Sequence, residues 1–280
     1  MVTKSDYPYE EVQAALSVLV ELLTVLGDFR DHIVLVGGWV PYFLIDAGRT
    51  DHTGSTDIDL ALDMRSIPDE VYSTILELLC ERGYTQSDKQ PFIFNRTVTT
   101  EFGHDVTVEV DLLAGEYGGT GRSHRTQRVQ DVRPRKARGC DLAFDDPLRV
   151  TMKARMPNGA VNEVGVRVAR VVPYLTMKGI ALHSRLKEKD AYDIYFTLKH
   201  YEGGKEELAK ALRPHITNKL VLEGLSKIRG KFKDVDSLGP VNVAEFMEIT
   251  DSDERETIKR DAFEQVAGLL DALGIDPFEE

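Results

Sequence analysis

Two aspartates, Asp57 and Asp59, alternate with apolar residues in the stretch HTGSTDIDLALD. In a strand, side chains at i and i+2 leave the same face, with Cα atoms about 6–7 Å apart. Ile58 and Leu60 then face the core while the two carboxylates stand side by side. Carboxylates held that close repel unless a proton or a cation lies between them. An all-oxygen donor set suits Mg²⁺ or Mn²⁺, hard ions whose remaining positions take phosphate oxygens. A two-metal site needs a third carboxylate. VTVEVDLLAG offers one in Asp111, at the end of a strand where Val106, Val108 and Val110 alternate with Thr107, Glu109 and Asp111. Glu109 shares the face of Asp111 one pleat deeper and reads as structural.

Alone, the Asp57/Asp59 pair is also what an exposed edge strand, or the D-x-D metal motif of a glycosyltransferase, would show. Its context argues otherwise. Gly37 and Gly38 end the apolar run HIVLVGG, where glycine lets the backbone turn sharply and approach a ligand closely. The helix expected to follow would aim its first N–H groups at an anion. A D-x-D glycosyltransferase has no use for that turn. Downstream, Lys178, Arg185, Lys189 and Asp193 recur at intervals of seven, four and four, one face of a helix. That stripe reads either as a solvated surface or as one wall of a cleft.

The elements that would position these groups are legible in outline. Residues 8–28 carry apolar residues at helical spacing behind Pro8, and WVPYFLIDAG reads as a helix stopped by Gly48. Residues 68–82 form another helix with Gly83 as its cap. PFIFNRTV and DVTVEVDLLA read as strands, and residues 148–172 as a hairpin around Pro157-Asn158-Gly159. Beyond Pro173 the pattern is helical: one strong stretch, YLTMKGIALHSRLKEKDAYDIYFTLKHY, then weaker helices near 205–230 and 254–273. The expected fold class is therefore α+β, a small mixed sheet flanked by helices, residues 1–172, with a helical carboxyl-terminal domain, 173–280.

Bulk properties narrow the function classes. The 280 residues carry a formal net charge of −12, which argues against generic polyanion or membrane-surface binding. Cys80 and Cys140 are too few for a disulfide framework or a zinc set, so a reducing, cytoplasmic setting is expected. The first residues, MVTKSDYPYEE, lack the apolar core of a signal peptide, and no apolar run is long enough to span a membrane.

Taken together, LVGGWVPYFL, GSTDIDLALD and VEVDLLAG resemble the nucleotidyltransferase superfamily of the DNA polymerase beta type. MKGIALHSRLKEKDAYDIYFTL, through Lys178, Arg185, Lys189, Asp190 and Asp193, is similar to the AbiEii/AbiGii toxin-type nucleotidyltransferases of toxin–antitoxin and phage-defence systems. Two features depart from the pattern. Eighteen residues separate Gly38 from Asp57, and Trp39 stands where relatives often carry serine or threonine.

The resemblance implies a nucleotidyltransferase core that moves an NMP from an NTP to an acceptor hydroxyl, with pyrophosphate leaving. Asp57 and Asp59 would hold the nucleotide-bound metal. Asp111 would join them on a second ion and help deprotonate the acceptor. Lys178 would neutralise triphosphate charge, with Asp190 or Asp193 orienting it, and Gly37, Gly38, Ser55, Arg185 and Lys189 would lie at the nucleotide. The implied acceptor is RNA, such as the tRNA 3′ end, with a cognate antitoxin as partner. An antibiotic nucleotidyltransferase acting on an aminoglycoside or lincosamide would use the same metal site, and a non-catalytic nucleotide-binding module is a third possibility.

One segment inverts the chain's charge. Between residues 118 and 139, Arg122, Arg125, Arg128, Arg133, Arg135, Lys136 and Arg138 face the single acid Asp131. It reads as a phosphate track for RNA, a clamp on the NTP, or a surface loop paired with neighbouring carboxylates.

Overall fold

The computed structural model describes residues 1–45, 52–63, 66, 75, 77–116, 134–185 and 187–278. The chain forms two compact units, a sheet unit of Pro8–Val40 and Gly54–Arg170 and a helical unit of Met1–Tyr7, Pro41–Thr53 and Val171–Glu280. The chain passes between them more than once, where the sequence suggested a single boundary near 172.

The sheet unit is built on strands β1 (Ile33–Val36), β2 (Asp57–Leu62), β3 (Thr85–Gln86), β4 (Ile93–Thr99), β5 (Asp105–Ala114), β6 (Arg135–Lys136), β7 (Leu148–Arg155) and β8 (Val161–Val168). Their order is β3-β4-β5-β2-β1-β8-β7, with β6 added against the end of β5. The sheet is mixed: β2 runs parallel to β5 and β8 parallel to β1, while β1–β2, β4–β5 and β7–β8 are antiparallel. Helix α1 (Tyr9–Val25) covers one face. Its Ala15, Val18, Leu19 and Leu22, spaced at three and four residues, are wholly buried. Glu21 of α1 is buried as well and grips Arg96 of β4 through two hydrogen bonds, 2.9 and 3.2 Å.

Strand alternation then assigns the faces. Register partners share a face, as do residues two apart. Leu35, Leu60, Val110, Leu112, Val166 and Val168 therefore lie on one side. The other side carries Val36, Asp57, Asp59, Glu109 and Asp111, and across β1 it continues to Arg167 and Arg149.

A 3-10 turn, Gly37–Trp39, follows β1 and runs into helix α2 (Val40–Leu44). Gly48, the expected stop of that helix, lies outside the described residues, as does most of the 68–82 helix, of which residues 77–81 are helical. The hairpin turn falls at Pro157-Asn158-Gly159, with Gly159 N donating to Met156 O at 2.8 Å.

The helical unit contains α3 (Val171–Ser184), α4 (Glu188–His200), α5 (Gly204–Leu212), α6 (Lys219–Lys231), α7 (Leu238–Phe246) and α8 (Ser252–Ala272). Side chains cap two of them: Asn218 accepts from Leu220 N at 2.9 Å, and Asp251 from Asp253 N and Glu254 N at 3.1 and 2.9 Å. Helices α3 and α6 cross at Gly179 and Gly224. A Cβ on Gly224 would lie 2.6 Å from the Thr176 carbonyl oxygen, and one on Gly179 would overlap that of Gly224. None of the described helices is long and apolar enough to cross a membrane.

The long stretch 174–201, expected as one helix, is two. The chain leaves helix after Ser184 and re-enters at Glu188, with Lys187 extended at φ −104°, ψ 117°. This corrects the single charged stripe read through Lys178, Arg185, Lys189 and Asp193. A continuous helix would set residues 178 and 193 about 22 Å apart along its axis. The break folds the second half back, and Lys178 meets Asp193 directly.

Candidate active site

Strands β2 and β5 place the three predicted aspartates on one sheet face. Asp59 is the register partner of Asp111, and Asp57 that of Glu109, so four carboxylates form two facing rows. Strand alternation requires this once the apolar residues between them are buried, and Ile58, Leu60, Val108, Val110 and Leu112 are all inaccessible. Glu109 is exposed, and burial deepens along β5 toward Ala114. The reading of Glu109 as one pleat deeper is thus corrected: it stands at the open rim, beside Asp57.

Each aspartate has its own support. Trp39, buried to 1% exposure, donates its indole N–H to the Asp57 carbonyl at 2.9 Å. Ser55 donates its hydroxyl to Asp57 Oδ1. A serine hydroxyl is therefore present although Trp39 follows the glycines, but it holds the carboxylate. Gly37 has φ +71°, and a Cβ there would overlap the Asp59 carboxylate. Only glycine combines that backbone conformation with so close an approach.

Asp111 is the most enclosed of the four. Its Oδ2 accepts from Arg135 at 2.6 Å, whereas its Oδ1 is buried with no hydrogen-bond partner among the described residues. Burial pushes its pKa up to about 6, the negative charges of Glu109 and Asp57 add to the rise, and Arg135 opposes it. Cys140 also lies within reach of Asp59 and Asp111. It is wholly buried at the start of a 3-10 turn, Cys140–Phe144, and its thiol is pushed well above the usual range by that burial and by the neighbouring acids.

Chemically this face suits a hard cation. It offers oxygen donors only, at high negative charge density, and a buried carboxylate oxygen lacks a partner. As they stand, no three His, Cys, Asp or Glu side chains among the described residues meet at one point. Arg135 supplies positive charge beside Asp111, and Asp57, Asp59 and Asp111 are the groups that would hold an ion. Of the basic segment, Arg122, Arg125, Arg128 and Arg133 lie outside the described residues. Arg135 belongs to β6, its neighbour Lys136 pairs in register with Ala114, and Arg138 approaches Glu116 at 3.4 Å. No sequence signal marked Arg135 as a partner of Asp111, since a two-residue strand has no periodicity to read.

The second group of predicted residues assembles within the helical unit. Lys178 Nζ donates to Asp190 Oδ1 at 2.7 Å and to Asp193 Oδ2 at 2.8 Å, and Lys189 Nζ donates to both Asp193 oxygens at 2.9 and 3.0 Å. Arg185 grips Asp190 from the surface, Nε to Oδ2 at 2.8 Å. His52 adds its Nε2 to Asp193 Oδ1 at 3.0 Å with its side chain fully buried. It escapes sequence reasoning because RTDHTGST reads only as a polar loop. Burial favours the neutral form of every member, yet the lysines outweigh it and hold Asp193 well below the usual carboxylate range, while Asp190 and Asp193 keep Lys178 charged. For His52 burial prevails and its pKa is lowered.

The fold is of the α+β class, with a mixed sheet that carries a carboxylate cluster on one face. No family model matches the chain, and no curated protein does. Three solved structures are similar to it. One, from H. pylori, is described as a candidate nucleotidyltransferase, with 14% identity over 95% of this chain and 98% of that one and a TM-score of 0.46. An antigenic nucleotidyltransferase-like protein from Paracoccidioides brasiliensis shows 19% identity over 76% and 93%, with a TM-score of 0.40. MenT4, a nucleotidyltransferase toxin from Mycobacterium tuberculosis H37Rv, shows 14% identity over 99% and 100%, with a TM-score of 0.39.

Proposed function

We propose that the chain is a metal-dependent nucleotidyltransferase that moves an NMP from an NTP to a hydroxyl of RNA, the tRNA 3′ end foremost, as a toxin-type enzyme with a cognate antitoxin. The observation that carries this reading is the in-register pair Asp59 and Asp111, flanked by Asp57 and closed over by the Gly37 turn. Nucleotidyl transfer needs charge neutralisation and in-line positioning more than covalent chemistry, and a row of carboxylates around Mg²⁺ meets that need.

In this reading Asp57 and Asp59 would hold Mg²⁺ or Mn²⁺, which would neutralise triphosphate charge. Ser55 and Trp39 keep Asp57 from turning away. Asp111, whose carboxyl is raised above the usual range by burial, would join Asp57 and Asp59 on the ion and help deprotonate the attacking hydroxyl. Arg135, released from Asp111, would bind a phosphate oxygen. Lys178 and Lys189 act through Asp190 and Asp193, which tie α3 to α4 within the helical unit.

The test is transfer of label from α-³²P NTPs to total tRNA in Mg²⁺. Wild-type protein should label RNA, and Asp57→Ala should label it at least a hundredfold more slowly. Labelling of purified aminoglycosides in place of RNA would move the acceptor to a cationic small molecule. An Asp57→Ala protein as active as wild type would remove the metal site.

A further inference from the structure

The sheet face that carries the aspartates continues across β1 onto the β7–β8 hairpin, and there its charge reverses. Arg149, Thr151, Lys153 and Arg155 on β7, with Arg167, Gly165 and Glu163 on β8, point to that side in register. Arg149, Thr151, Lys153, Arg155 and Gly165 are exposed. In a chain of net charge −12, four cations against one acid on a single strand pair is a local inversion.

Two observations show that the surface is short of an anion. Arg149 and Arg167 are direct register partners, and like charges placed opposite each other destabilise a strand pair. Arg167 spends one terminal nitrogen on the Asp31 carbonyl, while its Nε is buried with no acceptor among the described residues. Asp31 and Asp63 lie close enough to act on Arg167 electrostatically but give its Nε no acceptor. Arg155 and Glu101 are 3.9 Å apart with side chains 65% and 81% exposed, a separation at which surface pairs contribute little.

We propose that the outer face of the β7–β8 hairpin is a track for the sugar–phosphate backbone of the RNA acceptor, Arg149 and Arg167 sharing one phosphate and Lys153 and Arg155 taking others further along. This rests on the nucleotidyltransferase reading and assigns its acceptor a path on the sheet. From Arg149 to Arg155 the row runs about 20 Å, long enough for several nucleotides of an extended strand. Thr151 and Gly165 keep the middle low, so a backbone can lie against the sheet. A protein partner fits less well, because that side of the hairpin has no aromatic and only Val161 as an apolar anchor, and protein interfaces concentrate binding in such anchors. Arginine suits phosphate through its planar pair of donors.

The experiment is filter binding of labelled total tRNA and of a single-stranded oligonucleotide at 50–300 mM KCl, with wild type and the triple variant Arg149→Ala/Lys153→Ala/Arg155→Ala. All three residues are exposed, so far-UV circular dichroism should not move, Tm should hold or rise slightly as the Arg149–Arg167 repulsion is relieved, and binding of a fluorescent NTP analogue should be unchanged. Expected are at least a tenfold loss of RNA affinity at 50 mM and a log–log salt slope shallower by about 2, three contacts at about 0.7 each for single strands. The variant Arg149→Lys/Arg155→Lys should keep most of the slope. Unchanged affinity and slope in the triple variant would overturn the track. So would loss of polyglutamate binding with RNA binding intact, which would make the face a protein-docking surface. If wild type binds RNA through the hairpin but transfers no label to it, the functional reading falls and the track stands. If RNA is labelled with the same KM by both proteins, the track falls and the reading stands.

Discussion

Asp111→Asn should give a protein that is more stable and nearly inactive. The folded carboxyl has a pKa of about 6 against an ordinary 3.8, because burial and its acidic neighbours outweigh Arg135. The folded state thus holds that proton more tightly than the unfolded chain does. Its contribution is intact below pH 3.8 and is lost as pH rises through 6. Above that, the ionised side chain costs the fold up to about 3 kcal/mol, at about 1.4 kcal/mol per pH interval. Asparagine keeps the shape without the charge. In EDTA, urea unfolding should show the variant more stable at pH 8 by about 2–3 kcal/mol, with the gap closing between pH 6 and 4. Transfer to RNA should fall by about a hundredfold or more, the range associated with a lost general base. A variant no more stable than wild type at pH 8 would show that Asp111 ionises without cost.

The second large effect lies in the helical unit. Asp193 is the shared acceptor of Lys178, Lys189 and His52, and none of the four is more than 9% exposed. Asp193→Ala leaves two lysines buried beside one remaining aspartate. Breaking such a network from one side costs about 3–5 kcal/mol, since the stranded charge keeps its desolvation penalty. Chemical denaturation should register that loss. The triple change Asp193→Leu/Lys178→Met/Lys189→Met, which removes charge from both sides, should recover most of it. A single-variant loss below about 1 kcal/mol would mean that water reaches the cluster. Because Asp190 and Asp193 are held below their ordinary values, the stability they contribute is present above about pH 4 and fades as pH falls through their folded values.

The carboxylate face was legible because strand alternation is a local property. Asp59 and Asp111 each sit between apolar residues and Asp57 precedes one, and the period of two assigns their side without any knowledge of partners. That Asp59 falls beside Asp111 depends on the parallel pairing of β2 with β5, which no local pattern encodes. The hairpin was visible from its turn, but its charged side was not, since three cations two to six residues apart and a fourth twelve residues on look like ordinary solvated positions until both strands are laid in register. The helix break after Ser184 has neither glycine nor proline to announce it. No expectation covered α7; its Pro240 lies in the first turn, where a missing N–H has no partner to lose. Arg135 and His52 come from stretches with no period, and their partners are 24 and 141 residues away.

The crossing of α3 and α6 sets a limit on sequence change that the charge cluster inherits. Gly179 and Gly224 meet backbone to backbone, with Ile228 Cγ1 the side-chain atom that a Cβ on Gly179 would also meet, at 2.9 Å, so little at the contact can repack. A methyl group added at either position cannot be offset by shrinking the other, which is already glycine. The whole helix must move instead, and Lys178, one residue from the contact, moves with it. Two positions that carry no charge and touch no ligand therefore set how accurately the lysine meets its aspartates, and drift at either one is felt first as a mismatch in ion-pair geometry.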